Sequence, residues 1–522
     1  MKNESESKHG GLSASLKMFL YGTAAITGGA IMIVEILGAK MLAPYVGTSH
    51  FVWTAQIAVT LVALATGYYI GGRLVDKSPD LKMLYMAIIA ASVYLAATVM
   101  VVEPLAYWCL KFKLAVGSLL ASLFLFFVPL SLLAMVGPFF VRIITESVSA
   151  VGSNTGRLTS ISTLGSVFGT VLIGYVLIPF LPNSVTMFIT SAVLMLTGIV
   201  YFAVFSRSNR KISALALMAL VIIGLAEYGA ERSEGLHNYI TLFKANSNFG
   251  QLQVIDNTEG TNRHYLNDYL VQNTYDPKQK KSASSFTYLL HDLSWSYMPK
   301  MERVLCIGMG MGIVPMRFAA EGIKVDVVEI NPSVPAVAEK FFDFNADRLN
   351  LVIGDGRYFI NHAGDREYDV VVLDAFLGDS IPSHLFTKEA FSAIKRILKT
   401  DGVLVINSFG SFEKGRDFAV ASLERTLREG AKFQSVKIHA YGDGNVFYVA
   451  SGQADLMVAK EPVFDEVHSL CRNRVEALFQ NTVQVDPGHG VVLTDDFNPL
   501  EYHDAENREE TRRWLALSMK NY

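Results

Sequence analysis

The first half of this chain is dominated by long apolar stretches, at roughly 17–42, 52–75, 82–102, 115–137, 158–180, 183–205 and 212–229. Most approach the about 20 residues needed to cross the hydrocarbon layer of a bilayer. Inside lipid every backbone N–H and C=O must find its partner within the chain, so such stretches fold as helices. The expectation for residues 17–230 is therefore an α-helical transmembrane bundle of about seven spans, preceded by a polar tail at 1–16. No small-residue cleavage site follows the first stretch, which reads as a retained span. Small residues recur inside the spans, as in Gly28-Gly29-Ala30 and Gly165…Gly169…Gly174. This spacing lets helices approach closely. Glu35 lies within the first span. A titratable group in a membrane segment is a functional candidate by default; an ion pair with Lys40, about one turn away, is the structural alternative.

A different pattern begins near Glu231. Charged residues make up 18% of the whole chain, below the about 25% of soluble domains, yet beyond this point they rise and the apolar runs shorten. Arg303–Ile307, Val325–Glu329, Leu349–Ile353, Asp369–Asp374 and Gly402–Asn407 read as buried strands. Amphipathic stretches such as Pro332–Phe344 and Lys388–Lys399 separate them. Strands alternating with helices imply βαβ units and a largely parallel sheet, a Rossmann-like α/β domain at 276–522. Alternating pieces at Gly250–Asp256 and His264–Asn267 imply a small β extension at 238–275. The net charge of −3 gives no reason to expect nucleic acid as a partner. Cys109, Cys306 and Cys471 lie far apart, with no CxxC pair, so neither a disulfide framework nor a metal site is expected.

The ends of these strands carry a nucleoside-binding pattern. Arg303–Ile307 runs into Gly308-Met309-Gly310-Met311-Gly312, glycines that permit a tight turn and close backbone approach to a ligand. Glu329 ends the next strand, where an acid can accept both ribose hydroxyls; a carboxylate simply facing water is the alternative. Asp355, in Gly354-Asp355-Gly356-Arg357, is placed to accept from an adenine amino group, or else to cap the following helix. Asp374 ends a fourth strand, in the crevice where open α/β sheets bind ligands. No phosphate-binding lysine accompanies the glycines, so a nucleoside fits better than a triphosphate.

From about Ser247 onward these residues resemble spermidine synthase, the polyamine aminopropyltransferase family. Asp268-Tyr269-Leu270-Val271-Gln272 resembles the family's Asp-Gly-x-x-Gln, and Ile381–Thr387 resembles the segment after its catalytic aspartate. The whole chain resembles the membrane-fused spermidine synthase-like proteins of bacteria. Leu42-Ala43-Pro44-Tyr45, Gly67–Arg73, Leu164-Gly165-Ser166 and Leu493–Glu501 carry that likeness. The resemblance implies an S-adenosyl-dependent transferase using decarboxylated S-adenosylmethionine, or S-adenosylmethionine itself, and no metal. It implies a nucleoside and donor site at Gln272, Gly308, Gly310, Gly312, Glu329, Asp355 and Gly356. It makes Asp374 the catalytic base, Tyr288 a lining residue of the acceptor side, and His384 either a second acid/base or a polar residue before a helix. The implied partners are a small amine or polyamine, the lipid bilayer and a second copy of the chain.

The sequence also departs from that family. Met311 stands where soluble spermidine synthases have an Asp that holds the donor's amine end. Leu377 stands in place of the second Asp that holds the diamine, and Asp379 comes two residues late. Ser284-Ser285-Phe286-Thr287-Tyr288 lacks the acidic pair before the tyrosine. A desolvated diamine needs paired carboxylates, so the polyamine half of the site is eroded. Two rival readings follow: a methyltransferase or sulfonium cyclase or lyase on the same fold, and a transporter or sensor whose soluble domain only binds the nucleoside. Arg73, Lys77, Arg142, Arg157, Arg207, Arg210 and Lys211 follow spans two, four and six, which puts the N-terminus in the cytoplasm. Seven crossings would leave the C-terminal domain outside, whereas the expected location is the bacterial inner membrane with that domain in the cytoplasm. A re-entrant or interfacial 212–229 stretch would remove the conflict.

Overall fold

The computed structural model describes residues 12–46, 50–109, 111–145, 147–206, 224, 239–247, 249–268, 270–376, 381–442 and 444–503. The chain divides into two compact units, Met1–Glu234 and Gly235–Tyr522.

The first unit contains six helices long and apolar enough to cross a membrane among its described residues. They are α1 (Ala14–Val46), α2 (His50–Lys77), α3 (Leu81–Cys109), α4 (Leu114–Ile144), α5 (Val148–Phe180) and α6 (Asn183–Ser206). The stretch read as a seventh span, 212–229, lies outside the described residues. The small residues of α1 and α5 do what their spacing implies. A Cβ on Gly165 would lie 2.1 Å from the Ala25 carbonyl oxygen, and one on Gly169 would lie 2.5 Å from that of Gly29. The backbones are thus in direct contact, and Ser166 Oγ adds a hydrogen bond to the Gly28 carbonyl at 3.0 Å. Small residues at such a seam are what let two helix backbones approach this closely. Gly174 takes no part, with open space at its Cβ position. Glu35 lies within hydrogen-bonding reach of Thr60 on α2. The Lys40 ion pair offered above is not formed among the described residues.

The second unit holds two sheets. The smaller is an antiparallel meander, β1 (Tyr239–Ser247), β2 (Gly250–Asn257), β3 (Arg263–Asn267), β4 (Leu270–Asp276) and β5 (Lys281–Ser282), each strand beside the next. The larger sheet comprises β6 (Arg303–Ile307), β7 (Lys324–Glu329), β8 (Asn350–Ile353), β9 (Tyr368–Leu373), β10 (Leu398–Gly410), β11 (Ser435–Ala440), β12 (Gly444–Ser451) and β13 (Thr482–Val483). Its order is β13-β11-β12-β10-β9-β6-β7-β8. The five strands from β6 to β10 run parallel; β12, β11 and β13 join them antiparallel.

Strand alternation explains why these runs are apolar throughout. Val304, Cys306, Val370 and Val372 enter one core, and Leu305, Ile307, Val371 and Leu373 enter the other. Both faces are covered, as a parallel sheet requires. The chain enters the sheet at its centre with β6, winds outward to β8, then returns to β9 on the other side. The carboxyl ends of β6 and β9 therefore flank the point where the winding reverses, the crevice where ligands bind in open sheets of this kind.

The glycine seam gives a direct test. Gly165→Val forces a side chain into the α1 backbone, and the first unit is expected to lose about 1–3 kcal/mol in a detergent or denaturant unfolding assay. Gly174→Ala should leave the transition where it is.

Candidate active site

A cavity of about 880 Å³ opens at these carboxyl ends. Its floor is the turn after β6. Gly308 has φ +91°, and a Cβ there would lie 2.2 Å from the Asp374 carbonyl oxygen. The turn and the end of β9 are in backbone contact, and Asp374 N donates to the Ile307 carbonyl at 2.9 Å. Gly312 has φ +76° and precedes the helix Ile313–Ala320; a Cβ there would strike the Phe344 ring at 2.2 Å. Gly308 and Gly310 line the cavity, whereas Gly312 sets the geometry from behind it.

Three carboxylates stand around this floor. Glu329, at the end of β7, is buried and lines the cavity. Its Oε2 accepts from Met309 N at 3.1 Å and its Oε1 from Asn331 N at 2.8 Å. Burial raises its pKa, and those backbone donors oppose the rise. The carboxylate is held rigidly against the glycine turn, with lone pairs left for a ligand diol.

Asp355 caps the following helix, Gly356–His362, and also stands on the cavity. Its Oδ1 accepts from Tyr358 N at 2.8 Å. Its Oδ2 faces His384 Nε2 at 3.2 Å. Gly356 lies close beneath, since a Cβ there would meet Ile307 at 2.6 Å.

Asp374, just past β9, is half-buried on the cavity, and burial pushes its carboxyl up to about 6 against a lowering by Asn407. Asn407 Nδ2 donates to its Oδ1 at 2.8 Å. Gln272 reaches the cavity from β4 of the meander, beside Asn273, so the ligand space is shared by two sheets.

The rim is braced by motifs that are distant in sequence. Asp495 accepts from Arg357 Nη2 at 2.8 Å and from Thr387 Oγ1 at 2.7 Å. Asn498 Nδ2 donates to the Ser383 carbonyl at 3.0 Å. The Leu493–Glu501 motif thus anchors the segment carrying Pro382, His384 and Leu385 to the loop carrying Asp355.

Some expectations require correction. Tyr288 does not line the cavity. It is buried, its hydroxyl donates to the Ser282 carbonyl at 2.8 Å and accepts from His468 N at 3.3 Å. The preceding Ser284, Ser285 and Phe286 do line it, so the segment is correctly placed but the tyrosine ring turns into the core. Met311 is 1% exposed and packs in the hydrophobic core. The position at which the resemblance implied an amine-holding acid is filled by packing. Leu377 and Asp379 lie outside the described residues. Sequence reasoning missed Asn407 as a site residue and Asn445 altogether. The first was visible as the last residue of an expected strand; the second sits on an antiparallel strand that no motif announced.

Residues 285–458 match the family model of the spermine/spermidine synthase domain. The C-terminal unit is thus similar to that domain over this stretch. A polyamine aminopropyltransferase of Vibrio vulnificus is 39% identical over 142 residues, 26% of this chain and 47% of that protein. An N-terminal histidine N-methyltransferase of Emericella nidulans is 36% identical over 113 residues, 21% of this chain and 20% of that protein. Putrescine N-methyltransferase 2 of Nicotiana tabacum is 31% identical over 126 residues, 23% of this chain and 36% of that protein. The chain spans less than half the length of each of these curated relatives.

Alanine at Gly308 combines a disfavoured φ with a clash against Asp374. Strain of this type amounts to about 1–3 kcal/mol, so Gly308→Ala should weaken adenine-nucleoside binding by about tenfold or more in calorimetric titration. An unchanged Kd would remove the turn from the binding surface.

Proposed function

We propose that the protein is a membrane-bound, spermidine synthase-like transferase. It moves an aminopropyl-type group from an S-adenosylmethionine donor, decarboxylated or not, to an amine, and methylthioadenosine leaves. The observation that carries this reading is the convergence of Glu329, Asp355 and Asp374, from the ends of three parallel strands, on one cavity floored by a glycine turn. Glu329 would accept the ribose hydroxyls, Asp355 the adenine amino group, and Gln272 would border the nucleoside from the meander.

The donor brings its own leaving group. The amine nitrogen forms a bond to the carbon beside the sulfonium. The carbon–sulfur bond breaks with its electron pair passing to sulfur, and the nitrogen sheds a proton. Asp374 supplies the base at the position where that proton appears. A base must be ionised, and burial opposes ionisation. Asp374 should therefore be mostly active about one unit above pH 6 and progressively protonated below it.

Methyl transfer is the second reading, supported by Met311. A side chain buried in the core at that position offers the amine end of an aminopropyl donor nothing to pair with. The transporter reading rests on Glu35 alone, whose carboxylate reaches a hydroxyl on the neighbouring helix. We read the six apolar helices among the described residues as membrane spans, and of the topologies the sequence leaves open we favour the one in which 212–229 is not a crossing. Six crossings return the chain to the side on which it began. Arg73, Lys77 and Arg142 mark that side as cytoplasmic by the positive-inside rule, where S-adenosyl nucleosides are made.

Incubation of the detergent-purified chain with each donor, with and without diamines, tests the reaction by mass spectrometry. Methylthioadenosine is the expected product; S-adenosylhomocysteine would establish methyl transfer instead. Asp374→Asn should lower kcat by about 10²–10⁴-fold while nucleoside binding persists, and the wild-type rate should fall on the acid side of about pH 6. A C-terminal topology reporter should be active only in its cytoplasmic form.

A further inference from the structure

Asp374 is the end of a two-link amide chain. Asn407 Nδ2 donates to Asp374 Oδ1 at 2.8 Å, and Asn445 Nδ2 donates to Asn407 Oδ1 at 2.9 Å. Both asparagines line the cavity. Both lie on strands of the larger sheet. Asn407 belongs to β10, which runs parallel to β9 with Ile406 opposite Leu373, so it stands beside Asp374. Asn445 belongs to β12, where Asn407 pairs with Phe447 and Phe409 with Asn445. Asn407 and Asn445 are thus diagonal neighbours on one sheet face.

The direction of the chain has a chemical consequence. An amide has one acceptor end and one donor end. Because Asn445 occupies the oxygen of Asn407, the NH₂ of Asn407 must point at Asp374. That group can only donate, so it favours a carboxylate that accepts, the ionised form. It engages Oδ1, which leaves Oδ2 for the cavity.

We propose that Asn407 is the positioning residue of Asp374, with Asn445 locking its amide so that the carboxylate is held ionised with one oxygen presented to the acceptor. This rests on the transferase reading above for its catalytic meaning, though not for its electrostatic one. The other titratable groups around Asp374 are Cys306 on the adjacent β6, and Tyr265, Glu329, Asp355, His384, Arg416, Cys471 and Arg474 on the cavity wall. The Cys306 thiol is raised by burial first and by Asp374 second, so it stays neutral beside the carboxylate. Asn407 is the side-chain hydrogen-bond donor to Asp374 among the described residues.

The test measures the carboxyl directly as well as the rate. Infrared titration of the full-length protein, with the Asp374→Asn spectrum subtracted, reads the Asp374 midpoint without turnover. Asn407→Leu should move that midpoint upward by about one unit, and the acid limb of kcat/KM should follow it. The rate at pH 7 should fall about tenfold or more, with the nucleoside Kd within about threefold of wild type as the check on folding. Asn407→Gln should recover part of both. Asn445→Leu should shift the midpoint in the same direction by less, because Asn407 is then free to turn its oxygen toward Asp374. If Asn407→Leu binds nucleoside normally and leaves midpoint and acid limb unchanged, the positioning role is overturned. If the midpoint moves as stated but no donor is consumed by any form of the protein, the positioning stands and the transferase reading falls.

Discussion

The glycine turn and the three carboxylates of the candidate site depend on the carboxyl ends of parallel strands meeting at one edge. A parallel sheet points every strand's last residue the same way, and β6 and β9 lie side by side where the winding reverses. Residues 308, 329, 355 and 374 are spread over more than sixty positions, yet they need no long side chains to share a cavity. The backbone delivers them. The tight turn at Gly308 then sets how near the floor lies to Asp374, and burial of that carboxylate sets its chemistry.

Most of this architecture was legible in the sequence because it follows from strong local signals. Apolar runs of five or six residues gave β6, β7 and β9 within one residue of their observed bounds. The acids at their ends were found by position. What stayed hidden follows from direction and partnership, which sequence records poorly. The segment 284–288 reaches the cavity, but the helix Ser285–Tyr297 turns residues 285 and 286 outward and Tyr288 inward. A family motif gives the address of a tyrosine and says nothing of the side it faces. Asn445 was unreadable for another reason: only the antiparallel pairing of β10 with β12 brings it beside Asn407.

The departures from the family pattern now divide in two. Met311 has been absorbed into the core, where an acid would be buried without a partner, so that change is complete and structural. The cavity wall, by contrast, carries polar groups in Ser284, Ser285, Asn407, Ser411 and Asn445. Amides and hydroxyls can hold an uncharged or singly charged group, whereas a fully desolvated diamine asks for paired carboxylates. On the proposed reading, Asp374 stays as the base while the groups that would recognise the acceptor are amides and hydroxyls.

The cavity is also a joint. Gln272 and Asn273 come from the meander, while the glycine turn and the three acids come from the larger sheet. A nucleoside seated between them would act as a removable cross-link. Part of its binding free energy would appear as resistance of the two sheets to separating, through mass action on the folded state. Donor abundance and the lifetime of the fold are then coupled quantities: the protein would persist longest in cells where its substrate is plentiful.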